Sequence, residues 1–122
     1  MQSNLDLNKE ISFESFKKQI LEDYKIIVLS REASLLGRRE VLSGKAKFGI
    51  FGDGKELPQI AMAKVFQNGD FRSGYYRDQT FMMAINELSV KQLFSGLYAN
   101  TDINKEPMSA GRQMGAHFNT VS

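Results

Sequence analysis

Between Phe13 and Ser43 the chain contains no proline, and its apolar residues recur at helical spacing. Phe13, Phe16, Ile20, Tyr24, Ile27 and Val28 follow one another in steps of three and four or lie one place off, and Leu35, Leu36, Val41 and Leu42 extend the stripe. At 3.6 residues per turn this spacing gathers side chains on one side of an α-helix. The pattern predicts a single helix over residues 13–43 with that stripe on one face, too long for a small free-standing core and suited to packing against other subunits. Gly37 is its expected weak point, because glycine lowers helix propensity. Ser43-Gly44 is the expected stop, because glycine tolerates the left-handed geometry past a helix end.

Residues 1–12 are polar and without periodicity, which predicts a flexible lead-in. Residues 44–55 hold four glycines and read as a loop. A second helix is expected over residues 55–66, with Pro58 in the first turn, where a missing N–H costs little. Leu57, Ile60, Ala61 and Val65 are its expected apolar face. "QNGD" at 67–70 reads as a turn, "FRSGYYR" at 71–77 as a short extended segment, and "DQTFMMAINEL" at 78–88 as helix. Ser89 and Gln92 have capping-box spacing, and Val90, Leu93, Phe94, Leu97 and Tyr98 follow it at helical steps. Residues 99–111 read as a polar loop. The inventory is helices plus one short strand.

A length of 122 residues suits one domain or part of one, and 42% hydrophobic residues are enough to build a core. With no cysteine there is neither a disulfide nor a thiolate metal site. Sixteen basic residues against 14 acidic ones give a net charge of +2, too balanced to call for a nucleic-acid or membrane surface. The longest apolar runs, "IIVL" and "FMMAI", are far too short to span a bilayer. The first ten residues lack the basic and apolar regions of a secretion signal. A cytoplasmic protein is the expectation.

"GIFGDGKE" at 49–56 fits two cofactor motifs and completes neither. Gly49, Gly54 and Lys55 match G-x-x-x-x-G-K, yet no apolar strand precedes them and Glu56 stands where a Mg²⁺-binding hydroxyl belongs. The GDG of thiamine-diphosphate enzymes needs a metal-sharing asparagine, and neither Asn68 nor Asn86 sits at the right distance. A glycine turn opening the next helix is what remains. His117 is the only histidine, so no histidine pair can hold a metal. Its spacing from any serine or acid names no catalytic arrangement. In "YYRDQ", Arg77 follows Tyr75 and Tyr76 just before a helix. A guanidinium fork, phenolic hydroxyls and a helix start together suit an anion such as a phosphate. On spacing alone, a surface pair of Arg77 with Asp78 is the commoner outcome.

Three segments change that balance. "LLGRREVLSGKAKFGIFGDGKELPQIAMAKVF", "DFRSGYYRDQ" and "MSAGRQMGAHF" occur in this order. Together they resemble the N-terminal part of the alpha subunit of thiamine-diphosphate-dependent 2-oxoacid dehydrogenases, a family that includes the branched-chain and pyruvate enzymes. The resemblance covers about residues 13–122. It implies an α/β fold class, this chain being the mostly helical N-terminal portion of a thiamine-diphosphate-binding fold, incomplete as it stands. It implies that Tyr76 and Arg77 contact the cofactor diphosphate with Tyr75 beside them, and that His117, near the active-site entrance, is the candidate catalytic residue. Gly54 and Glu56 become structural support at a helix start. The implied cofactors are thiamine diphosphate and Mg²⁺, with the metal ligands expected downstream of this chain. The implied partners are a beta subunit or fused beta-like half, a lipoyl-bearing acyltransferase and a 2-oxoacid substrate, within an oligomer that involves neither nucleic acid nor membrane. The implied activity is oxidative decarboxylation with acyl transfer to lipoamide, the 122-residue piece alone being inactive. The alternative is a non-catalytic helical interaction module related to that family.

Overall fold

The computed structural model describes residues 10–113 and 115. Four helices lie among them: α1 (Phe13–Leu42), α2 (Glu56–Val65), α3 (Gln79–Ala84) and α4 (Val90–Leu97). α3 packs against both α1 and α2, which also touch each other, and α4 packs against α1. None of these helices is long and apolar enough to cross a membrane.

No β-strand forms among the described residues, so this part of the chain is helical rather than α/β. The extended segment expected at 71–77 is irregular and closes in a turn, with the Asp78 amide donating to the Tyr75 carbonyl at 3.2 Å. A strand needs a neighbouring edge to bond. Here the Tyr75 amide donates instead to the Asp78 carboxylate, at 3.0 Å.

α1 has the expected extent. The Ser12 hydroxyl accepts from the Ser15 amide at 3.2 Å, a side-chain cap for an amide with no intrahelical partner, and the helix closes at Ser43 before Gly44 at φ 77°. Its buried face is another matter. Phe13, Phe16, Ile20 and Tyr24 are 71%, 50%, 50% and 62% exposed, whereas Ser30, Ala33, Ser34 and Gly37 are buried. The face that meets α3 is small and polar. The Gln79 Nε2 donates to the Ser34 hydroxyl at 2.8 Å and to the Ser30 carbonyl at 3.2 Å, and the Ser30 and Thr80 hydroxyls lie 2.6 Å apart. Buried polar groups satisfied in this way fix one register of α1 on α3. Gly37 is a contact point and not a weak one. A Cβ there would lie 2.4 Å from the Phe51 ring, which seats the 44–55 loop on α1.

α2 likewise buries a face other than the expected one. Glu56, Gln59 and Ile60 are buried, with Ala63 packed on the core, while Leu57 and Val65 are 69% and 57% exposed. α3 is shorter than the 78–88 stretch expected. Asn86 turns left-handed at φ 61°, and the amides of Asn86 and Glu87 donate back to the carbonyls of Met83 and Met82. This is a Schellman stop, which ends a helix by satisfying its last carbonyls. The Ser89–Gln92 capping box is present and starts α4. Phe81, Met82, Met83, Leu88 and Leu93 form the core with Ala33, so α3 supplies most of its bulk.

Candidate functional site

The turn at 75–78 lies where α2, α3 and the 44–55 loop meet. Tyr75 donates its hydroxyl to that of Tyr76 at 2.8 Å, and the two rings stack at a tilt with centroids 4.1 Å apart. The hydrogen bond to Tyr76 raises the Tyr75 pKa, and partial burial adds to it. The Arg77 guanidinium lies 5.6 Å from the centre of the Tyr76 ring.

Arg77 does not pair with Asp78. The Asp78 Oδ2 is taken by Arg72 Nη1 and the Tyr75 amide. Sequential residues point apart, and Asp78 turns back over the turn it closes. Among the described residues the Arg77 guanidinium has no ion pair, and its buried Nε has no hydrogen-bond partner. The Asp78 Oδ1 is also buried and without a partner. Unmatched buried polar atoms are rare, because each carries its desolvation cost uncompensated. A half-buried guanidinium without an ion pair among the described residues, beside two phenolic hydroxyls, is an arrangement that suits an anion.

Three backbone contacts hold this turn. Gln59 Nε2 donates to the Arg77 carbonyl at 2.9 Å, while Gln59 Oε1 accepts from the Phe81 amide at 3.0 Å. Gly52 lies against the same carbonyl: a Cβ at this position would sit 2.4 Å from the Arg77 oxygen. Gly52→Ala is therefore expected to push the Arg77 carbonyl away, with a loss of about 1–3 kcal/mol in stability. An unchanged urea midpoint would show that the contact has slack.

The loop behind Gly52 is pinned in turn. Gly54 turns at φ 88°, and the Lys55 amide donates to the Gly52 carbonyl at 3.1 Å. The Glu56 carboxylate accepts from the Gly54 amide at 2.9 Å and from Arg31 Nε and Nη2 at 2.6 and 2.9 Å. The Arg31 fork holds the Glu56 pKa below the usual carboxylate range, with the Gly54 amide helping against burial. Asp53 pairs with Arg38 at 2.6 Å. "GIFGDGKE" is thus an anchored turn between α1 and α2 whose glycines allow close backbone approach. Among the described residues no group of three or more histidine, aspartate or glutamate side chains could hold a metal ion.

Tyr75, Tyr76 and Arg77 are brought together as the sequence suggested. His117 lies outside the described residues. Gln59, Gly52 and the Arg31–Glu56 pair were missed. A signal for them existed: Glu56, Gln59, Ile60 and Ala63 are spaced i, i+3, i+4, i+7, the buried face of α2 once polar residues are admitted to it. Compared with known proteins, the chain matches no family model, no curated protein and no solved structure.

Proposed function

We propose that the chain is the N-terminal part of the alpha-type subunit of a thiamine-diphosphate-dependent 2-oxoacid dehydrogenase, and that Arg77, Tyr76 and Tyr75 form one wall of the cofactor's diphosphate site. The observation that carries this reading is the Arg77 guanidinium, half-buried on an anchored turn, with no ion pair among the described residues and a buried Nε that has no hydrogen-bond partner. The family resemblance of the segments at 35–66, 70–79 and 108–118 supports the same reading. In this site Arg77 offsets diphosphate charge, and the tyrosine hydroxyls, as neutral hydrogen-bonding groups, orient it. The cofactor, when bound with Mg²⁺, supplies the electron sink for loss of CO₂ from the 2-oxoacid ahead of acyl transfer to a lipoyl group. Among the described residues no group of three or more histidine, aspartate or glutamate side chains could hold a metal ion, and this reading assigns the Mg²⁺ ligands to other residues.

α1 has a place in the same reading. Its exposed stripe of Phe13, Phe16, Ile20 and Tyr24 is the kind of surface that packs on a partner subunit such as a beta chain. That stripe alone would equally favour a non-catalytic helical interaction module. Calorimetric titration of the full-length protein, assembled with its partner subunit, against thiamine diphosphate and Mg²⁺ separates the two. Saturable binding in the micromolar range or tighter is expected for the enzyme. No heat of binding would leave the module.

A further inference from the structure

We propose that Gln59 is a positioning residue that aims Arg77 at its anion, an inference that rests on the reading of Arg77 as a diphosphate ligand. Gln59 projects from α2, is 9% exposed, and uses both ends of its amide on backbone groups. The donor end holds the Arg77 carbonyl at 2.9 Å, and the acceptor end holds the Phe81 amide at 3.0 Å.

These two backbone groups flank the start of α3. Phe81 is the third residue of that helix, and its amide is one of those a helix leaves without an internal partner. Asp78 at the N-cap makes no side-chain cap bond, so Gln59 caps α3 from the neighbouring helix. One side chain thereby fixes where the helix begins and where the preceding turn ends. The direction of the Arg77 side chain follows from both.

The guanidinium itself has little else to aim it. Among the described residues it makes no ion pair, its buried Nε has no hydrogen-bond partner, and it lies 5.6 Å from the Tyr76 ring centre. Its placement therefore comes through its backbone, which Gln59 holds by a hydrogen bond and Gly52 by contact. Only an amide can do both tasks at this position. Methionine keeps the length and loses both bonds. Glutamate keeps the acceptor for Phe81 and loses the donor to Arg77.

A double-mutant cycle tests this in the full-length protein assembled with its partner subunit, titrated calorimetrically with thiamine diphosphate and Mg²⁺. Gln59→Met is expected to weaken binding on the order of tenfold, and the Gln59→Met, Arg77→Ala double variant to bind no more weakly than Arg77→Ala alone. A general structural role would instead add its loss in both backgrounds. Additive losses, or wild-type affinity for Gln59→Met, would overturn the proposal. Should Gln59→Met fail to fold, Gln59→Glu runs the same cycle, since it keeps the acceptor for the Phe81 amide and turns a carboxylate oxygen, in place of a donor, to the Arg77 carbonyl. An Arg77→Ala protein that binds as wild type would overturn the diphosphate reading, and this inference with it.

Discussion

Replacing Arg77 with alanine is expected to weaken thiamine-diphosphate binding by the full-length protein by about 1.5–3 kcal/mol, the usual loss for a charge-assisted hydrogen bond. That is roughly a 10- to 150-fold rise in Kd. The same change should leave the melting temperature nearly unmoved. Among the described residues Arg77 makes no ion pair, and its buried Nε has no partner, so the change removes packing, including that on the Tyr76 ring, and no ion pair. An arginine that serves the fold gives the opposite pattern, a large loss of stability with ligand binding reduced only through unfolding. Arg77→Lys should fall between wild type and alanine, because it restores the charge without the planar fork. Calorimetry gives the affinity and a thermal melt gives the stability. Unchanged affinity would sink the diphosphate assignment, and a collapsed melting temperature would make Arg77 a structural residue.

The legible parts of this chain were those decided locally. α1 could be read almost to the residue because no proline lies between Phe13 and Leu42 and Ser43-Gly44 marks its stop. The Ser89–Gln92 box could be read because both of its bonds span three residues. The faces could not be read in the same way. Periodicity finds the side of a helix that carries apolar residues, but burial depends on what packs there. On α1 the close neighbour is α3, whose Gln79 and Thr80 need hydroxyl and carbonyl partners, so serines go inside and aromatics stay out. The stop of α3 was missed because a left-handed Asn86 overrides a run of residues otherwise fit for helix. At the site, an arginine beside two tyrosines was visible as a string. Its neighbour in sequence suggested an ion pair that Arg72, five residues away in the chain, takes instead. Gln59 was passed over because a rule that seeks apolar faces does not count a buried amide, although its spacing with Glu56, Ile60 and Ala63 is helical.

The largest loss of stability is expected from Phe81→Ala. Phe81 is 1% exposed, meets Phe66 edge to face with ring centroids 5.2 Å apart, and lies beneath the Arg72 guanidinium at 5.5 Å. Truncating a buried phenylalanine removes its transfer energy and leaves a cavity, together about 3–5 kcal/mol. For a chain of this size the melting temperature should fall by roughly 10–20 °C. Phe71, 94% exposed, makes the control, and Phe71→Ala should change stability by less than about 0.5 kcal/mol. The loss at Phe81 should also reach the candidate site. A helix as short as Gln79–Ala84 has no stability of its own and depends on its packing. Phe81 is its main anchor, and its amide is the one held by Gln59. Loosening it frees the start of α3 and the Arg77 turn just before it. Phe81→Leu refills most of the volume without the ring contacts, so its melting temperature should lie between the two. If Phe81→Ala melts within a few degrees of wild type, α3 is not the centre of this fold, and the anchoring assigned to the Arg77 turn loses its support.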